Sequence, residues 1–316
     1  MAAGAWLALG CAGPPDTVAA QPRVLELSGD LEAHDPSVIE SNGVFYLFGT
    51  GPGLATKTSS DLRVWRAGPD VFSALPSWIA NLVPGATNLW SPAVRFFGGL
   101  YHLYYAASTF GSDRSCIGHA TRTSLGDDQT WTDRGPVLCS NTTTTTVDEF
   151  NAIDPELLVT NDGIPWLVFG SFGSGIQLSQ LSNDGTKVTG MLIPLAARPK
   201  DGGALQAPVL IEHGGYDYLF TSFDLDRAHR LTVGRAATPQ GPYLDRSGNP
   251  LSNGGGTLIL AGDTRFLGPG SNAVVSSGGR DFNVYHAYDA DNADLATLRI
   301  AELVWDVQGW PISGGP

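Results

Sequence analysis

Charge is scarce in this chain. Only 16% of its 316 residues are charged, well under the roughly 25% of an average soluble domain. Basic residues are the scarcer kind, with 18 Lys plus Arg against 31 Asp plus Glu, for a net charge of -13. That balance repels DNA, RNA, anionic lipid and acidic polysaccharides at long range, so polyanions are excluded as expected partners. Long apolar runs are also lacking: beyond the N-terminal segment no stretch reaches 18 apolar residues, so no later helix could span a membrane. Cysteine is rare, with three in all, and none has metal-site spacing or the His partner of a thiol nucleophile. Helical periodicity is nearly absent, which excludes bundles and βαβ architectures.

What is present is glycine and apolar material. Glycine supplies 40 residues, about 13% against a usual 7% or so, and 42% of the chain is hydrophobic. Many tight turns and a sizeable core follow. Residues 1–20 read as an export leader or lipoprotein-type signal: a small apolar run, Ala8-Leu9-Gly10-Cys11 like a lipoprotein cleavage box, and Val18-Ala19-Ala20 suited to an ordinary signal peptidase. A secreted or lipid-anchored extracytoplasmic protein is expected, with residues 21–316 as its single domain. Cys116 opens one expected strand and Cys139 closes the next. In an antiparallel pair they could face each other as a disulfide, the alternative being two small buried thiols.

One cassette recurs five times: a small polar or acidic residue and Pro, a short apolar strand, a Gly-containing turn, then an aromatic-rich strand. Asp35-Pro36-Ser37-Val38-Ile39, Asn42-Gly43 and Phe45-Tyr46-Leu47-Phe48 form the first copy. Ser91-Pro92, Asp154-Pro155, Ala207-Pro208 and a degenerate Pro269-Gly270-Ser271-Asn272 open the others, with turns at Gly98-Gly99, Asp162-Gly163, Gly214-Gly215 and Gly278-Gly279. The marker prolines 36, 92, 155, 208 and 269 are 56, 63, 53 and 61 residues apart, room for four strands per unit. Asn-Gly, Gly-Gly and Asp-Gly supply the positive φ angles of two-residue hairpins. The pattern predicts an all-β fold, a five-bladed β-propeller whose sheets pack around a central channel. The tract 141–146 reads as a surface loop containing a glycosylation acceptor at Asn141.

In a propeller the first strand of each blade lines the channel, so equivalent slots converge. Asp35 and Asp154 occupy that slot in blades one and three, and blade four offers Gln206 just before Ala207-Pro208. Two carboxyl groups across a polar pocket are the equipment of glycoside hydrolysis: one activates water, the other protonates the leaving oxygen. A neutral glycan also suits the negative charge. Trp90 precedes the blade-two slot, where its indole could stack on a sugar ring or pack between blades. Phe110, Phe172 and Asn151 are further pocket candidates. His34 could adjust Asp35 or cap the strand, and His286 is as compatible with a structural role as with a sugar contact.

His34-Asp35-Pro36-Ser37, Asn88-Leu89-Trp90-Ser91-Pro92, Ser108-Thr109-Phe110-Gly111-Ser112, Asn151-Ala152-Ile153-Asp154-Pro155, Phe169-Gly170-Ser171-Phe172 and Gly268-Pro269-Gly270-Ser271-Asn272 resemble glycoside hydrolase family 43, particularly its arabinanase and arabinofuranosidase members. The resemblance spans about residues 33 to 305. It implies a five-bladed propeller and an inverting hydrolase of α-1,5-linked arabinofuranosyl chains, with Asp35 as general base and Asp154 as the residue that orients the acid and tunes its pKa. It also implies a Glu as general acid immediately before the Ala-Pro of blade four, where this chain carries Gln206. Ser271 stands where arabinanases have a His associated with a central metal ion, and Ala93 replaces an Asp. No cofactor is expected, and a central calcium is left without that His. A monomer acting on a neutral plant-type polysaccharide or oligosaccharide is expected. The alternatives are a carbohydrate-binding propeller with weak or no catalysis, and a hydrolase of xylo-oligosaccharides or another neutral glycan. The short passage from Phe223 to Leu231 leaves the cleft open and leans towards endo attack.

Overall fold

The computed structural model of the chain describes residues 21–112, 114–126, 130–140, 150–199 and 203–316. The expected leader at 1–20 and the tract 141–146, with its acceptor Asn141, lie outside the described residues. Five sheets follow one another along the chain, each a meander of four strands hydrogen-bonded to their sequence neighbours, the first with Ser28–Gly29 added at its outer edge. Their inner strands are Ser37–Ser41, Leu89–Phe97, Glu156–Val159, Leu205–His213 and Phe266–Ser277. Each inner strand touches those of the two flanking blades, so the five close a ring. The fold is a five-bladed β-propeller. Among the described residues no helix is long and apolar enough to cross a membrane.

The turn chemistry places the strands. Asn42-Gly43, Gly98-Gly99, Gly214-Gly215 and Gly278-Gly279 all have φ between 53° and 81° at both residues, the type I′ geometry that matches strand twist. Blade three departs: its turn runs from Thr160 to Ile164, and only Gly163 is left-handed. Scarcity of charge follows from packing. Each blade is covered on both faces, so consecutive residues are buried, as in Leu103 to Ala107 of blade two. Phe48, Leu54, Leu89 and Tyr105 fill the seam between blades one and two, and Leu47, Trp65, Val284 and Ile300 fill that between blades one and five. Each such side chain contributes about 1.5–3 kcal/mol on burial.

Two fastenings supplement the core. The N-terminal segment bridges blades five and one: Val24 pairs with Ala301 and Glu32 with Thr297, while Ser28–Gly29 runs parallel to Val64 and Trp65 at the edge of blade one. In blade two, Cys116 and Cys139 are direct cross-strand partners and form a disulfide.

Candidate active site

At the entry of every inner strand one non-glycine residue has a left-handed backbone: Asp35 (φ 50°), Ser91 (44°), Asp154 (52°), Ala207 (50°) and Ser271 (47°). Such a conformation costs roughly 1–2 kcal/mol for an L-residue, and its recurrence at one slot in five blades requires a cause. Proline follows the first four, and lacking an N–H it cannot join the ladder; in blades two and four the strand bulges there. The slot's own N–H is then received across a blade boundary in four cases. Asp35 donates to His286 Nδ1 (3.1 Å), Ser91 to Thr50 Oγ1 (2.9 Å), Ala207 to Asp154 Oδ2 (3.0 Å) and Ser271 to Ser222 Oγ (2.9 Å). All five slot residues surround a chamber of about 30 Å³ on the axis. In blade four the slot residue is Ala207. Gln206, expected to face the two carboxylates from an equivalent position, sits one residue outward on the wall of the cavity above.

That cavity, of about 490 Å³, is lined by His34, Asp35, Trp90, Asn151, Asp154 and Gln206, with Phe110 and Phe172 on its rim. Phe110 is almost fully exposed and Phe172 is 39% exposed, leaving their rings open to a ligand. Asn151 donates to Ser171 Oγ at 3.2 Å, and its buried Oδ1 has no partner among the described residues. His286 does not join this lining. It is fully buried beneath Asp35 and stacks on His34 at 4.1 Å, a place that matches the structural one of its two expected roles.

Asp35 is held from several sides. Its Oδ2 accepts from Thr50 Oγ1 at 2.6 Å and from His34 Nδ1 at 2.8 Å, and His34 Nε2 reaches the Tyr288 hydroxyl at 3.0 Å. Because His286 Nδ1 accepts the Asp35 N–H, its proton resides on Nε2. Burial and the neighbouring His34 keep the His286 pKa well below its ordinary value. At His34 burial opposes the charged form, but the Asp35 charge and hydrogen bond outweigh it and raise the pKa. At Asp35 burial pushes upward, and His34, His286 and Thr50 together overcome it and hold the carboxyl far below the usual range. Asp35 therefore stays ionised, beside a histidine whose protonated form it favours.

Asp154 joins three blades, its Oδ1 accepting from Ser91 Oγ at 2.7 Å and its Oδ2 from the Ala207 N–H. Burial and the charge of Asp35 push its pKa up to about 6. By gripping Ala207, Asp154 also sets the position of Gln206. The Gln206 amide lies 2.7 Å from His229 Nε2. Burial lowers the His229 pKa, so the neutral ring accepts the amide N–H, and its buried Nδ1 has no partner among the described residues. Glu212, six residues after Gln206, lies near the far end of the same strand and accepts from Asn161 at 3.0 Å.

His34, Asp35 and His286 offer nitrogen and oxygen atoms within 4.8 Å of one another, the only group of that kind among the described residues. They fit a resident metal poorly. His34 Nδ1 is spent on Asp35 Oδ2 and His286 Nδ1 on the Asp35 N–H, and Ser271, where an imidazole was expected, offers a hydroxyl.

Thr50, His229, Tyr288 and Asp226 escaped the reading of motifs. For Thr50 a signal existed: a small hydroxyl ends the second strand in four blades, at Thr50, Ser108, Ser171 and Ser222.

The model of glycosyl hydrolases family 43 matches residues 29–311. The chain is 41% identical over 288 residues to extracellular endo-α-(1→5)-L-arabinanase 1 of Bacillus subtilis (strain 168), covering 88% of this chain and 86% of that one. It is 34% identical over 301 residues to extracellular exo-α-(1→5)-L-arabinofuranosidase ArbA of Cellvibrio japonicus (strain Ueda107), covering 89% and 86%. Among solved structures, Cellvibrio cellulosa α-L-arabinanase complexed with arabinohexaose superposes with a TM-score of 0.86 at 33% identity, covering 90% of this chain and 96% of that one.

Proposed function

The chain belongs to glycosyl hydrolase family 43 and is a glycoside hydrolase; from that premise we propose that it cleaves α-1,5-linked L-arabinofuranosyl chains with inversion of configuration. The observation that carries the reading is the meeting of Asp35 and Asp154, over a hundred residues apart in sequence, at one cavity with Trp90, Phe110 and Phe172 on its walls. Asp35, ionised and fixed by Thr50 and His34, takes a proton from water as the water oxygen attacks the anomeric carbon. Asp154 holds the blade-four segment in place through Ala207. The aromatic rings bind the flanking sugars. Support for arabinan comes from the two relatives above, named for α-(1→5)-arabinan chemistry, and from the arabinohexaose bound by the Cellvibrio cellulosa enzyme. Attack within chains is favoured by the short passage between the second and third strands of blade four, a single turn at Asp226–Ala228. Placement outside the cytoplasm is favoured by the Cys116–Cys139 disulfide and by the extracellular relatives.

Incubation with linear α-1,5-arabino-oligosaccharides, followed by proton NMR from the first turnover, tests this reading. The β-anomer should appear first; initial α-anomer would exclude inversion. A second reading, a carbohydrate-binding propeller without efficient chemistry, is favoured by Gln206, whose amide has no proton to give a leaving oxygen. It predicts saturable binding of the same oligosaccharides with no sugar released.

A further inference from the structure

Cleavage of an unactivated glycosidic bond needs a proton on the leaving oxygen, and Gln206 cannot supply it. Around Gln206, the carboxyl groups to weigh are Glu212, Asp224, Asp154 and Asp226. Glu212 is at the far end of its strand, bonded to Asn161. Asp224 is clamped by Arg198 and Arg230, each at 2.8 Å. Asp154 has one oxygen tied to Ser91 and the other to Ala207. Asp226 is different: it lines the same cavity as Asp35, Asp154 and Gln206, is exposed, and has no hydrogen bond or ion pair on its carboxyl among the described residues.

The position of Asp226 is nonetheless rigid. It opens the turn Asp226–Ala228 with φ 48°, and its carbonyl accepts the His229 N–H at 3.0 Å. Arg227 pairs with Asp294 at 2.9 Å. The turn presses on blade five so closely that a Cβ on Gly268 would lie 2.0 Å from the Asp226 carbonyl oxygen. His229, three residues further on, is the residue that holds Gln206, so one turn links the amide to the free carboxyl.

We propose that Asp226 delivers the proton that Gln206 cannot, making it a catalytic residue of this chain. The inference rests on the hydrolase reading above. As the bond between the anomeric carbon and the glycosidic oxygen breaks, its electron pair goes to that oxygen, which takes the Asp226 carboxyl proton. The attacking water forms the new bond to carbon and gives its proton to Asp35. Solvent then removes the proton from Asp35 and restores the one on Asp226.

Two substrates test the assignment: linear α-1,5-arabinan, and an arabino-oligosaccharide with a 2,4-dinitrophenyl leaving group, which departs without a proton. Asp226→Asn should lower kcat on arabinan about a hundredfold yet change it less than about threefold on the dinitrophenyl substrate. Adding Gln206→Glu to Asp226→Asn should restore arabinan cleavage. Equal losses on both substrates, or no loss on arabinan, would overturn the proposal while leaving the hydrolase reading intact. A wild-type chain that releases sugar from neither substrate would remove both.

Discussion

The two sides of the cavity are built to different standards. On the side of blades one and five, Asp35 is fixed by Thr50, His34 and His286, with Tyr288 behind them, and its charge favours the protonated form of His34. On the side of blade four, the Gln206 side chain has one hydrogen bond among the described residues, to a neutral histidine whose other nitrogen is unpaired among them. Asp226 lines the same cavity, its carboxyl without a hydrogen bond or ion pair among the described residues. A water-activating group must be ionised and aimed before substrate arrives, and dense wiring serves that end. A proton donor must hold and release a proton, and a carboxyl free of fixed donors is better suited to it. The contrast is what an inverting site would look like after its acid had moved from a strand to an adjoining turn.

The largest expected effect attacks the wired side. Asp35→Asn should lower kcat on arabinan by about 10⁴-fold, because the activating base is lost, and measured sugar release checks it. A smaller loss, about ten- to a hundredfold, is expected from His34→Asn, which leaves the base present but loosely aimed. Its stability signature has a defined window. Asp35, with its lowered pKa, contributes stability above its ordinary 3.8 that is lost as pH falls through the folded value. His34, with its raised pKa, contributes below its ordinary 6.5 what is lost as pH rises through the folded value. The fall in Tm caused by His34→Asn should therefore be greatest between these two values and shrink outside them.

A smaller effect belongs to Asp154, which sits between the two sides. Its pKa is raised to about 6 from 3.8, so the folded state binds more protons than the unfolded one in that window and wild-type stability falls as pH rises through it. Asp154→Asn lacks this dependence. Relative to wild type, its stability should improve by about 2 kcal/mol between pH 4 and pH 7. Calorimetry at both pH values checks this, and a constant difference would remove the charge from the account of Asp154.

The fold was largely open to sequence reading because its determinants are local and repeated: a proline, an apolar strand and a two-residue turn five times over. Blade three's turn was misjudged because Asp162-Gly163 looks like a two-residue hairpin, whereas Thr160 and Ile164 pair around a longer loop. Asp35 and Asp154 were found by recurrence. Gln206 was found too, but its offset from the slot was not, since pairing across the bulge at Pro208 decides which of two neighbours faces the axis. His229, Tyr288 and Asp226 act through contacts between blades or along a short turn, and no spacing in the chain announces them. Their meaning comes from where the ring of blades places them.

One cavity thus pairs a fully wired base with an altered acid side, and kcat on linear α-1,5-arabinan for Gln206→Glu against wild type measures the difference. A rise of about tenfold or more with little change in KM is expected, since a carboxyl regained next to Asp154 and His229 adds a donor used only as the bond breaks. Equal kcat in the two proteins, or a fall, would mean that the acid side is not altered at Gln206.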